Sequence, residues 1–136
     1  MQHHWKVNGK VVGGLKQGAF FTGLDWVRQQ CVEKLGFEPW PGTLNVEISE
    51  EQAAVIDGLV YKKGADLLSP DSNFCSGKVY PVTVAGIPAA IVRPAEEVRT
   101  HGKGVVEIIA PQKLKDALEI TDGDWITFRI DVSGVP

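Results

Sequence analysis

Gly36-Phe37-Glu38-Pro39-Trp40-Pro41-Gly42-Thr43-Leu44-Asn45 stops a helix, forces a tight path and launches a strand in one short stretch. Gly36 supplies the left-handed stop for the segment before it. Pro39 and Pro41 then restrict the backbone, and Gly42 permits the sharp path that opens an extended run. Side chains alternate across a strand, so Leu44, Val46 and Ile48 share one face and Thr43, Asn45 and Glu47 the other. Thr43 and Asn45 thereby present two hard oxygen atoms side by side. That pair suits a Mg²⁺ ion held between protein oxygens and phosphate; taken alone, it reads more readily as the polar outer face of a strand.

Upstream, Leu24, Val27, Cys31 and Leu35 recur at helical spacing and predict a helix from Leu24 to Leu35, with Thr22 and Asp25 offset as a capping pair. Before it, Lys6 to Val12 reads as a strand interrupted by the turn-like Asn8-Gly9. Gly13 to Gly18 reads as a loop and Ala19-Phe20-Phe21 as extended. Downstream, Ser49 and Gln52 form a capping box for a short helix from Glu50 to Asp57. Lys62 to Asn73 is polar and turn-rich and predicts a loop. Cys75 to Ala85 and Ile87 to Val92 read as a hairpin about Ala85-Gly86, and Pro94 to Lys103 as irregular. Val105 to Ile109 is a short apolar strand, and Pro111 opens a helix ending near Glu119. After the Thr121-Asp122-Gly123-Asp124 turn, Trp125 to Val132 makes the last strand. Many short strands with few short helices predict a mainly β chain closed as an antiparallel barrel, one domain over residues 1–136.

Composition narrows the function classes. The 136 residues are 43% hydrophobic and 23% charged, ordinary for a globular chain able to build a core without staples. A net charge of −3 with interspersed signs does not favour a phosphate-tracking nucleic-acid surface. No apolar stretch is long enough for a membrane span. Cys31 and Cys75 have no metal-ligand spacing and read as free thiols in a reducing cytoplasm. His3 and His4 read as an exposed terminus.

No Walker sequence and no kinase-type Gly-rich loop with its lysine partner occurs. Gly14-Leu15-Lys16-Gln17-Gly18-Ala19 still has the composition of an anion-binding nest, though a hairpin turn reads as well. Gln112-Lys113-Leu114-Lys115 opens the helix after Pro111, where free N–H groups suit a phosphate or a polar base edge; Lys113 and Lys115 alone read as a solvated helix surface. Glu107 stands out in Val105-Val106-Glu107-Ile108-Ile109 as one carboxylate among apolar neighbours, though an outward-facing residue on a half-exposed strand reads as well.

These blocks resemble the CTP-dependent riboflavin kinases of archaea, a family with some bacterial relatives. The resemblance runs from about Val7 to Ile130 and rests on Gly14 to Gly18, Leu35 to Asn45, Glu107 to Leu114 and Asp122-Gly123-Asp124. It implies a six-stranded cradle-loop barrel that transfers the γ-phosphate of CTP to the ribityl 5′-hydroxyl of riboflavin, giving FMN and CDP. By the same resemblance Thr43 and Asn45 ligate Mg²⁺, and Gly14, Leu15, Lys16, Gln17, Gly18 and Ala19 cradle the nucleotide. Gln112, Lys113, Leu114 and Lys115 hold its cytidine end. Thr100 and Glu107 meet the flavin, Glu107 as ribityl ligand; apart from the resemblance, its apolar neighbours make it a candidate general base as well. Lys16 replaces a glycine usual in relatives, Lys115 replaces an arginine, and one residue is missing between Thr100 and Glu107. A non-catalytic flavin or nucleotide sensor on the same barrel is the alternative these departures motivate. The expected chain is a cytoplasmic monomer with no nucleic-acid or membrane partner.

Overall fold

Six strands close on themselves in the computed structural model, which describes residues 4–13, 21–70, 75–94 and 104–132. In chain order the elements are β1 (His4–Val12), α1 (Asp25–Leu35), β2 (Leu44–Glu47), α2 (Glu50–Lys63), β3 (Ala65–Leu68), β4 (Cys75–Val84), β5 (Ile87–Pro94), β6 (Val105–Ile109), α3 (Leu114–Ala117) and β7 (Trp125–Asp131). The ring runs β4-β5-β6-β2-β1-β7, and β7 returns to β4 through Val82–Ile130, Thr83–Arg129 and Val84–Phe128. The pairings are antiparallel throughout. Closure removes the free edges that an open sheet would expose. The seventh strand, β3, takes the first part of β4's edge, beside the stretch that β7 occupies.

Strand alternation divides the apolar residues between two cores. Val7, Val11, Leu44, Val46, Val82, Val84, Ala89, Ile91, Val106, Ile108, Ile126, Phe128 and Ile130 fill the barrel, joined by Ala53, Ile56, Leu59 and Val60 of α2. On the outer face Val79, Ala90, Val92 and Ile109 meet Leu67 of β3 and Val27 and Cys31 of α1. The predicted spacing of α1 is therefore the stripe it buries, with Leu24 and Leu35 packed at its margins. Gly36 ends that helix at φ 83°, and its N–H bonds to the Val32 carbonyl.

The structure corrects several local expectations. β1 runs unbroken through Asn8-Gly9, because Gly9 faces inward where a Cβ would lie 2.2 Å from Val46 Cγ1. There glycine answers a lack of space and makes no turn. Thr22 does not cap α1, whose N-cap is Leu24 with no side-chain bond. Residues 21–22 are helical, so Phe21 is not extended. α2 passes Asp57 and the open Gly58 to reach Lys63, since Leu59 and Val60 continue the buried stripe. Its Ser49 cap is as expected, with Ser49 Oγ accepting from Gln52 N at 3.2 Å. Ala65–Leu68 is a strand inside the expected loop. Its edge is met by α1: Gln30 bonds both the N–H and the carbonyl of Leu68, and Lys34 donates to the Asp66 carbonyl. The hairpin turn is as read, with Ala85 and Gly86 both at positive φ (51° and 80°). That is the pattern of a type I′ turn.

Cys31 is a buried free thiol. Burial pushes its pKa up to about 11, against a smaller lowering by Lys34. The thiolate is the nucleophile, so Cys31 is expected to resist iodoacetamide at pH 8 in the folded protein and react once denaturant is added. Peptide mapping of alkylated protein checks this. The unfolded thiol ionises near 9.0 and the folded one near 11, so stability falls as pH rises through that window.

Candidate functional site

The Pro-Gly path into β2 is held at two points. Trp40 N donates to the Ala110 carbonyl at 2.7 Å. Two residues on, Gly42 N donates to Thr22 Oγ1 at 2.7 Å, and Gly42 takes φ 123°. Thr22 is fully buried, so the hydroxyl that reads as a helix cap instead fixes a loop twenty positions away. That anchoring delivers Thr43.

Thr43, Asn45 and Glu107 converge. Asn45 and Glu107 form one rung of the β2–β6 ladder, and Val92 of β5 lies on the other side of Glu107. All three point to the barrel's outer face, where Asn45 is 8% exposed. The Thr43 hydroxyl donates to Glu107 Oε1 at 3.3 Å. The hydroxyl and amide predicted to share a face thus lie beside a carboxylate that sequence separates from them by more than sixty residues. Upstream of this rung, Ile48 N donates to the Gly104 carbonyl at 2.7 Å. Gly104 sits at φ 91°, and a Cβ there would lie 2.5 Å from the Ile48 carbonyl oxygen. Only glycine serves at that crossing.

Thr43 also lines a pocket of about 160 Å³, against roughly 10–15 Å³ needed for one water. Its walls are Trp40 to Leu44 on one side and Ile108, Ala110 and Gln112 to Lys115 on the other. The two segments expected to bind Mg²⁺ and nucleotide therefore face each other across one cleft. Asn45 and Glu107 lie outside its lining and connect to it through Thr43. Gln112 and Lys113 do not open a helix after Pro111; they form the turn before α3, which has four residues from Leu114 and an N-cap at Lys113. So short a helix offers little macrodipole, and what it brings to the cleft is local polar groups and the charges of Lys113 and Lys115. Lys115 Nζ pairs with Asp122 Oδ1 at 2.9 Å. Asp122 in turn abuts Gly13, where a Cβ would lie 3.3 Å from its Oδ2.

Gly14, Leu15, Lys16, Gln17, Gly18, Ala19 and Thr100 lie outside the described residues. Of the aromatics, Phe21, Trp26 and Phe37 pack on the outer core. Phe21 and Trp26 meet edge to face at a centroid distance of 6.1 Å. Trp40 differs: it is 50% exposed at the cleft. Ile108 reads in the sequence as a strand residue, with no sign that it or Ala110 borders a cavity. Among the described residues no group of three or more His, Cys, Asp or Glu could hold a metal by itself. No described helix is long and apolar enough to cross a membrane.

Residues 11–130 match the family model CTP-dep_RFKase, described as a domain of unknown function, DUF120. The chain is 39% identical over 134 residues to a protein named riboflavin kinase from Methanosarcina acetivorans, covering 96% of this chain and 55% of that one. A riboflavin kinase from Methanocella arvoryzae is 39% identical over 131 residues, with coverages of 92% and 56%. One from Saccharolobus solfataricus is 33% identical over 136 residues, with coverages of 96% and 76%. The chain thus spans little more than half the length of the first two relatives. A family match over this range, on a closed barrel that brings the Thr43–Asn45 strand against Glu107, makes the chain a member of the CTP-dependent riboflavin kinase family.

Proposed function

We propose that the chain is a riboflavin kinase that transfers the γ-phosphate of CTP to the ribityl 5′-hydroxyl of riboflavin. The observation that carries this reading is the Thr43–Glu107 contact at 3.3 Å on the rung that pairs Glu107 with Asn45. It supports the reading because two neutral oxygen donors and one carboxylate lie together, joined through Thr43 to a cleft whose far wall carries Lys113 and Lys115.

Phosphoryl transfer asks a protein mainly to position reactants and neutralise charge. Thr43 and Asn45 are hard oxygen donors that fit Mg²⁺, which is commonly held by few protein groups and completes its shell with phosphate and water. Bound there, the ion would offset the negative charge of the nucleotide phosphates. Lys113 and Lys115 draw the nucleotide into the cleft. Glu107 accepts a hydrogen bond from the ribityl hydroxyl and takes its proton as the oxygen bonds to the γ-phosphorus and CDP leaves. Gly14, Leu15, Lys16, Gln17, Gly18 and Ala19 are assigned to the nucleotide, and Thr100 to the flavin, from family membership. We assign the chain to the cytoplasm as a monomer.

Incubation with riboflavin, Mg²⁺ and separately CTP, UTP, ATP or GTP, followed by chromatography for FMN, tests the reading. FMN is expected with CTP foremost. Thermal stabilisation by riboflavin with no FMN from any donor would overturn catalysis and leave a sensor.

A further inference from the structure

Arg93 is a charged side chain only 9% exposed, and nothing proposed for the reaction uses it. Its Nε and Nη2 both lie 2.7 Å from Asp57 Oδ1 of α2. Its Nη1 donates to the Val105 carbonyl of β6 at 3.0 Å. One guanidinium therefore ties β5, α2 and β6 together. Its neighbour across the β4–β5 ladder, Lys78, is engaged by Asp66.

The position of that carbonyl matters. The β5–β6 ladder ends at the rung Val92–Glu107. Continued by two residues, forward on β5 and back on β6, the same register would set Val105 opposite Pro94, and proline has no backbone N–H to give. A carbonyl left without a donor in a half-buried strand is costly. Arg93 Nη1 supplies the missing donor from a side chain. Because the fork is rigid and its other arm is fixed on Asp57, the contact sets where β6 enters the ladder. Glu107 lies two residues downstream, on the last backbone-paired rung.

We propose that Arg93, clamped by Asp57, is a positioning residue for Glu107, holding the start of β6 so that the carboxylate meets the riboflavin hydroxyls. The inference rests on the kinase reading for its ligand. Arg93 touches no reacting group; it acts through the strand that carries Glu107. Lysine cannot bridge Asp57 and Val105 at once with comparable geometry, so Arg93→Lys keeps the charge and loses the clamp. Asp57→Asn loosens the same clamp from its other end.

Riboflavin affinity, read from quenching of flavin fluorescence, and nucleotide affinity, read by calorimetry with CTP and Mg²⁺, should be measured separately for both variants. The expected result is riboflavin binding weakened about tenfold or more with nucleotide binding within twofold of the unaltered protein, a split that general loosening of the fold would not give; tenfold corresponds to about 1.4 kcal/mol. In a Glu107→Ala background, Arg93→Lys should add no further loss, since its effect passes through that carboxylate. If Arg93→Lys does not fold, Asp57→Asn carries the same comparison. Unchanged riboflavin affinity in a folded variant, or losses that add to those of Glu107→Ala, overturns the role of Arg93 alone. If the unaltered protein binds no riboflavin, the kinase reading falls and the inference with it.

Discussion

Glu107→Gln is expected to lower turnover at saturating riboflavin and CTP by roughly 10²–10⁴-fold, the range typical of removing a positioned general base. Glutamine is nearly isosteric and keeps an oxygen to accept from the Thr43 hydroxyl, so the Thr43 contact and the rung with Asn45 should survive. What is lost is the ability to take a proton. Steady-state FMN formation, with riboflavin binding followed by fluorescence, separates the two roles of the residue. A large drop in kcat with binding retained assigns proton acceptance to Glu107. Full turnover would remove it as a base and leave it a ligand.

Phe128→Ala should produce the largest loss of stability of any single truncation in the barrel. Phe128 is wholly buried and pairs across to Val7 on β1 and to Val84 on β4. It therefore sits at the seam where β7 closes the ring. Removing a buried aromatic ring costs about 3–5 kcal/mol through lost transfer energy and an unfilled cavity. For a chain of this size that corresponds to a fall in Tm of roughly 10–20 °C. Calorimetry of the variant checks the figure. A shift of only a few degrees would mean that the seam repacks around the gap, and closure would then not depend on this ring.

The barrel and the face shared by Thr43 and Asn45 are legible because both rest on period-two alternation. Thr43 and Asn45 could be placed on one face, and Glu107 recognised as a carboxylate out of place in an apolar strand, from the sequence alone. The rung that brings Asn45 to Glu107 could not be read, since register between β2 and β6 is a tertiary fact. Thr22 shows how a local signal misleads: a threonine ahead of a helix reads as a cap, yet its hydroxyl is taken by Gly42. Gly9 and Gly58 mislead in the opposite sense, because both lie inside continuous elements. In one case glycine relieves crowding, and in the other the buried face of the helix outweighs a propensity cost of about 1 kcal/mol. α3 is shorter than its sequence suggests because Pro111 marks a place where helices commonly start, while nothing in the sequence marks Leu114 as the first helical residue. β3 has no signature in the sequence, being a strand of four residues that depends on β4 and α1 for its partners. Arg93 and Asp57 stand 36 positions apart and gave no signal at all.

The carboxamide of Gln30 has one further bearing on how the molecule behaves in a crowded solution. It offers Leu68 the donor and acceptor that the peptide group of an incoming chain would offer. At that point an extended segment from another molecule finds its docking groups already occupied by a built-in imitation of itself. Fibril-like growth, which propagates through unsatisfied backbone rims, has to dislodge this stopper before it can start there.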